Sequence, residues 1–186
     1  FGSKIIASYT AASKVQQLVM QPAVTFGVAM ATYSGQNLGA GRIDRIKEGV
    51  KKCSIISIIV SIISTIVVFL LGGAFTKLFM SGNDLEVIGY SKHYLNTVSI
   101  FYIPLGLIFI YRNTLQGIGE SFVPMMAGVA EMVARTVAAF TLPLIIGFTG
   151  IALADPAAWI AACVPLMITY HKRIDIIMKQ NIKEAA

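Results

Sequence analysis

Charged residues are scarce in this sequence, which argues against an ordinary soluble domain. They make up 13% of the 186 residues, about half the share that is typical of soluble proteins. Hydrophobic residues account for 56%, and the mean hydropathy is +0.74. This composition predicts an integral membrane protein, because long uncharged stretches partition into hydrocarbon.

Acidic residues are fewer than basic ones, nine against fifteen. The net charge of +6 could indicate nucleic-acid binding, but the basic residues lie between the apolar runs and not along one stripe. They are better explained as determinants of membrane topology. We therefore predict no nucleic-acid partner.

Cysteines are rare, and groupings of catalytic residues are missing. Cys53 and Cys163 lie at or within apolar runs without metal-ligand spacing, so we interpret them as small buried thiols. The sequence has no glycine-rich phosphate loop, no cluster of metal ligands and no nucleophile paired with a base. It predicts no cofactor or metal site and argues against an enzyme.

Five apolar stretches predict an all-α bundle of about five transmembrane helices. We expect them at residues 5–34, 53–76, 94–115, 122–146 and 151–170. Between the first two lies a predicted basic loop, 35–52, and a tail, 171–186, follows the last helix.

Four local signals refine these helices. Pro104 and Gly106 predict a kink in the third one. Asp155 is expected to cap the part of the fifth helix that continues from Pro156. A turn is predicted at 81–84, where the sequence reads Ser-Gly-Asn-Asp. Ser57, with Ser61 and Ser64 on the same face, predicts a close helix contact.

The distribution of positive charge predicts the orientation. Ten Lys and Arg residues lie in one set of loops and ends: Arg42, Arg45, Lys47, Lys51, Lys52, Arg112, Lys172, Arg173, Lys179 and Lys183. The opposite set holds three: Lys4, Lys77 and Lys92. The positive-inside rule therefore predicts a plasma-membrane protein whose C-terminus and 35–52 loop are cytoplasmic. Arg112 is expected at the inner surface, and Ile43, Ile46 and Val50 predict a short amphipathic helix there.

A stripe of polar side chains runs along the first predicted helix. Thr10, Lys14, Gln17, Gln21 and Thr25 recur at steps of three and four residues and so share one face. Such groups avoid lipid. The stripe predicts either hydrogen bonds between packed helices or the wall of a substrate cavity.

Glu131 and Arg135 form an unusual pair within the fourth apolar stretch. Their i, i+4 spacing places both on one helix face, where they can form an ion pair. Either charge alone would cost about 3 kcal/mol in a membrane. We interpret the pair as structural, with a gate or a protonatable site as the alternative.

Several motifs resemble the multidrug and toxic compound extrusion (MATE) transporters. The signature is Gly35-Gln36-Asn37-Leu38-Gly39-Ala40-Gly41-Arg42 at the end of a helix. The segments 111–124, 131–135 and 150–159 are also similar to bacterial members. The resemblance runs from Ile5 to Arg173, and its order and spacing agree with the family.

The resemblance implies a transporter built from two six-helix lobes around a central cavity. Residues 1–186 would form the last five helices of the C-terminal lobe, with the N-terminal lobe as a missing partner. Many members carry a carboxylate in the helix that corresponds to 94–115, and this stretch has none. The site of the coupling ion, sodium or a proton, is therefore expected outside this chain.

The predicted function is a secondary antiporter in the lipid bilayer that exports organic cations or amphipathic drugs. Candidate cavity residues are Lys14, Gln17 and Gln21, with Asn113 and Gln116 near the inner end. The signature residues Gly35, Gln36, Asn37, Gly39, Gly41 and Arg42 are expected to shape the inner loop. The alternatives are a flippase for lipid-linked oligosaccharides or polysaccharides and a membrane structural protein without transport.

Overall fold

The computed structural model describes residues 2–79 and 84–184, with side chains described as far as Gln180. Its regular elements in these ranges are α-helices: α1 (Ser3–Gly39), α2 (Ile43–Leu78), α3 (Leu85–Ser99), α4 (Tyr102–Gly117), α5 (Phe122–Ile146) and α6 (Phe148–Glu184). The predicted all-α fold class is confirmed.

Helices α3 and α4 form one broken span at the centre of the bundle. They are bent by 55° relative to each other, and α1, α2 and α6 pack around both. Tyr94, Leu95, Tyr102 and Leu115 are all at most 1% exposed. The core therefore follows the broken helix, and the other helices are positioned by their contacts with it.

The break lies at Ile100 and Phe101, so the predicted kink at Pro104 and Gly106 was misplaced. Pro104 is the third residue of α4. The first four N–H groups of a helix have no intrahelical partner, so a proline there loses no hydrogen bond. Proline thus begins the second half of the span instead of bending its interior.

Among the described residues, three helices are long and apolar enough to cross a membrane, namely α2, α5 and α6, and the bent pair α3–α4 would make a fourth span. The remaining predicted span, the first one at 5–34, corresponds to α1. This helix has 37 residues. Its many polar residues lower its hydropathy, so it is not among the helices that hydropathy identifies as spans.

The prediction of a basic loop at 35–52 is wrong, because most of this segment is helical. Residues 35–39 belong to the last turns of α1, and α2 begins at Ile43. Ile43, Ile46 and Val50 do share a buried face, but they belong to α2 and not to a separate surface helix. No proline interrupts 43–78, so the helix continues through the change from charged to apolar residues.

The second half of the chain departs from expectation at the last helix. The bounds of α5 match the predicted 122–146, whereas α6 extends from Phe148 to Glu184 and includes most of the predicted tail. Asp155 lies inside α6 and does not cap it.

Of the predicted turn at 81–84, only Asp84 is described, and it caps α3 by accepting a hydrogen bond from the Glu86 N–H. Ser81, Gly82 and Asn83 lie outside the described residues.

Small residues allow the helices to approach closely. The predicted contact of the α2 serines is confirmed: Ser57 and Ser61 are buried, and the Ser61 hydroxyl donates to the Tyr102 carbonyl at 3.2 Å. A Cβ on Gly106 of α4 would lie 2.5 Å from the Ser57 Oγ. A larger side chain at either position would push the two helices apart.

Gly117→Ala should destabilise the bundle. The added Cβ would lie 2.4 Å from the backbone carbonyl oxygen of Ala31 in α1, and a backbone atom cannot rotate away. We expect the free energy of unfolding to fall by about 1–3 kcal/mol, measured by reversible unfolding in mixed micelles with circular dichroism.

The matched control is Gly128→Ala in α5, where a Cβ meets nothing within 4 Å. We expect this variant to be neutral or slightly stabilised, since alanine favours a helix. An equal loss of stability in the two variants would contradict the close approach of α1 and α4.

Candidate functional site

A cavity of about 470 Å³ lies where α1, α3, α4, α5 and α6 meet. Its walls combine aromatic, amide and charged side chains: Tyr9, Ser13, Gln16, Gln17, Met20, Gln21, Val24, Tyr94, Leu105, Phe109, Glu131, Arg135, Asp155 and Trp159. Polar and apolar groups thus contribute about equally to the walls, and convergent polar groups of this kind can orient a small molecule.

Helix α1 supplies the amide groups. Gln17 and Gln21 stand one turn apart and both line the cavity. The polar stripe predicted either hydrogen bonds between packed helices or a cavity wall. Gln17 and Gln21 have the arrangement of a cavity wall. Lys14 is exposed and does not line the cavity, although its neighbours Ser13 and Gln16 do.

A chain of ion pairs crosses the floor of the site. Glu131 Oε1 lies 3.0 Å from Arg135 Nη2, as the i, i+4 spacing predicted. Glu131 Oε2 lies 2.8 Å from Arg112 Nη2, and Arg135 Nε lies 3.0 Å from Asp155 Oδ1. The four side chains therefore join α4, α5 and α6, and their formal charges cancel.

A tyrosine extends this network to α3 and α1. The buried Tyr94 hydroxyl donates to Asp155 Oδ2 at 2.9 Å, and Gln16 Oε1 lies 3.1 Å from the same hydroxyl. A phenol carries one proton, so Gln16 can pair fully only by presenting its amide NH₂ group to the phenol oxygen. Asp155 is thereby held by Arg135 and Tyr94 together.

The structure separates the remaining predicted residues from the cavity. Asn113 packs against Gly27 of α1 and donates to the Phe109 carbonyl at 2.8 Å. Gln116 is exposed and lines no part of the cavity. Arg112 was expected at the inner surface, but its side chain is only 24% exposed and pairs with Glu131.

Three important residues of the site were missed. Gln16 is offset from the predicted stripe by one residue, and Tyr94 was treated as the first residue of an apolar span. Asp155 was interpreted as a cap because it precedes a proline. The available signal was its charge: an acid within the last apolar stretch requires a partner.

A family model described as MatE matches residues 1–141 of the sequence. This chain belongs to the MatE family. The resemblance inferred from the glycine-rich signature is thus confirmed.

Two curated relatives of this MatE chain come from Bacillus subtilis (strain 168). The probable multidrug resistance protein YoeA is 25% identical over 130 residues, which are 69% of this chain and 27% of the relative. The probable multidrug resistance protein YpnP is 22% identical over 119 residues, which are 64% and 26% of the two chains. The chain thus spans about a quarter of the length of these relatives.

A solved structure described as MATE in the bent conformation superposes with a TM-score of 0.87 at 16% identity. The match covers 97% of this chain and 40% of the solved one. The MatE fold is therefore present over almost the whole chain, and this is a family of membrane transporters and not of enzymes.

The signature of this MatE chain forms a tight corner between α1 and α2. The chain reverses over Ala40–Arg42, where Gly41 adopts a φ of 69°, a conformation that favours glycine. The Arg42 N–H donates to the Asn37 carbonyl at 2.8 Å, and Gly35 lies against the Gly117 carbonyl of α4. The glycines therefore shape a corner and a helix contact instead of the predicted long loop.

Glu131→Gln should destabilise this MatE chain, because it leaves the partly buried Arg112 without its acidic partner. Removing one member of a buried pair costs about 3 kcal/mol, and we expect a loss of that order in detergent unfolding. The double variant Arg112→Gln/Glu131→Gln leaves no unpaired charge at this pair. It should therefore lose less stability than Glu131→Gln alone.

Lys52→Gln provides the control, because its pair with Glu48 is exposed at the surface. It should leave stability unchanged. If the stability losses of Arg112→Gln and Glu131→Gln simply add up to that of the double variant, the two residues do not form a coupled network.

Proposed function

We propose that this chain forms most of the C-terminal lobe of a secondary antiporter that exports organic cations. It belongs to the MatE family, and its curated relatives are named as probable multidrug resistance proteins. Because the chain spans 40% of the solved transporter, the cavity described here is one wall of a larger site that an N-terminal lobe would complete.

The main support for this proposal is the composition of the cavity wall. The rings of Tyr9, Phe109 and Trp159 line it together with the carboxylates of Glu131 and Asp155. Aromatic faces attract cations, and flat apolar walls suit the ring systems of many drugs. Gln17 and Gln21 add hydrogen-bonding groups that can adapt to different substrates.

A flippase for lipid-linked sugars fits this wall less well. Its pyrophosphate substrate calls for unpaired basic groups, whereas the lining holds Arg135, which is already bound to Glu131 and Asp155. A structural protein without transport also fits less well, because it would bury the polar stripe between helices, and Gln17 and Gln21 are exposed.

We further propose that sodium or proton entry drives export and that the coupling site lies mainly outside this chain. Both carboxylates of the cavity are already paired with arginines, so neither is left open to bind a coupling ion. The excess of basic residues at the α1–α2 corner and in the last part of α6 supports placing these ends in the cytoplasm of a cell-membrane protein.

Ethidium efflux from vesicles that contain the intact transporter tests the coupling. We expect efflux when a sodium gradient or a proton gradient is imposed, and the ion that supports it is the coupling ion. Absence of efflux under both gradients, with the protein shown to be folded, would contradict the antiporter and favour the flippase.

Gln17→Ala/Gln21→Ala should weaken transport of the cation. Each lost hydrogen bond is worth about 1 kcal/mol, so we expect KM to rise about fivefold to thirtyfold, with folding retained. Gln116→Ala is the matched control and should leave KM unchanged, since Gln116 does not line the cavity. Equal effects of the two changes would contradict this assignment of the cavity wall.

A further inference from the structure

A second, larger cavity lies between α2, α4 and α6 at the basic end of the bundle. It has a volume of about 810 Å³ and is lined by Lys47, Glu48, Val50, Lys51, Ser54, Ile55, Tyr111, Tyr170, His171, Ile174 and Asp175. None of these residues belongs to the cavity described above.

The lining crosses the boundary between the polar and apolar parts of two helices. On α2, Lys51 is followed within a few residues by Ile55, at the start of the uncharged stretch 53–76. On α6, Tyr170 ends an uncharged stretch and His171 begins the charged part. The cavity is therefore polar at one end and apolar at the other, at the level where a membrane changes from headgroups to acyl chains.

The apolar end opens onto an exposed apolar surface of α2. Ile55 is 50% exposed, and Ile59, Ile62 and Ile66 continue the same helix face, each about half exposed. The inner walls are Val50, Tyr111, Tyr170 and Ile174, all buried. An occupant with a long apolar chain could thus run from the cavity along this isoleucine face without meeting a polar group.

At the polar end, both acids of the lining are paired with lysines. Glu48 is occupied by Lys52, whose Nζ lies 2.7 Å from its carboxylate, and Lys47 lies 3.8 Å from Asp175. Lys51 has no acidic partner within ion-pair distance among the described residues. One lysine of the lining therefore remains to meet an anion.

We propose that this cavity binds an anionic phospholipid, with the phosphate at Lys51 and an acyl chain along the isoleucine face of α2. A soluble phosphate compound would satisfy the lysine but leave the aromatic and aliphatic walls uncovered. A zwitterionic lipid would bring a second cation next to Lys51. The charge bias places this end at the cytoplasmic leaflet, which is the leaflet that carries anionic lipids.

Native mass spectrometry of the intact protein tests the lipid class. The probes are phosphatidylglycerol and phosphatidylcholine with the same acyl chains, and free glycerol 3-phosphate as the soluble competitor. We expect phosphatidylglycerol to be retained at least fivefold better than phosphatidylcholine and not to be displaced by glycerol 3-phosphate. Equal retention of the two lipids, or displacement by the soluble phosphate, would overturn the proposal.

Two variants separate the cavity from general attraction to a charged surface. Lys51→Gln should reduce phosphatidylglycerol retention about tenfold or more, since it removes a direct contact between an ammonium group and the phosphate. Lys172→Gln removes a charge at the same end but outside the lining, and it should cause a clearly smaller loss. An equal loss in the two variants would show only surface attraction and overturn the proposal.

A second pair tests the apolar end with the charges intact. Ile55→Trp fills the mouth of the cavity and should lower phosphatidylglycerol retention severalfold. Leu144→Trp lies on the exposed surface of α5, away from both the lining and the isoleucine face, and should not. Equal retention in the two tryptophan variants would overturn the cavity as the binding site. Because this proposal requires only membrane insertion, it can fail or hold independently of drug transport.

Discussion

The requirement that intramembrane charges be paired organises one side of this bundle. Arg112, Glu131, Arg135 and Asp155 come from three helices, and each would be costly alone in an apolar surrounding. Joined as two acids and two bases, they cancel in charge and hold α4, α5 and α6 in register. Helix α5 packs mainly against α6, and since its buried residues are only Pro124, Ala127 and Ala138, the ion pairs add links from this largely exposed helix to both α4 and α6.

The broken span at the centre has a complementary role. The bend between α3 and α4 brings Tyr94 to the ion-pair network and lets the glycines of α4 approach α1 and α2. Backbone groups freed at a break must be satisfied by protein or water within a membrane, and the Thr65 hydroxyl of α2 donates to the Ser99 carbonyl at the end of α3. Helix α2 therefore stabilises the break through Thr65 and contacts the start of α4 through Ser61, whose hydroxyl donates to the Tyr102 carbonyl.

The two cavities differ in the chemistry of their walls, which supports different roles. The first places acids and arginines in contact, beside aromatic rings and glutamines, so that charge is balanced before a substrate binds. The second leaves Lys51 without an acid among the described residues and opens toward the exposed isoleucine face of α2. We infer a transported cation for the first and an anionic lipid for the second.

Composition and periodicity were sufficient for the helical class, the bounds of α5, the serine contact of α2 and the pairing of Glu131 with Arg135, because each depends on neighbours within one helix. The family signature followed from a run of eight residues. Only the tertiary structure decided that Asp155, Tyr94 and Gln16 join the site, that Lys14 and Gln116 do not, and that the third span breaks before Pro104. These outcomes depend on which helix faces which, and a periodic pattern along one helix carries no information about its neighbours.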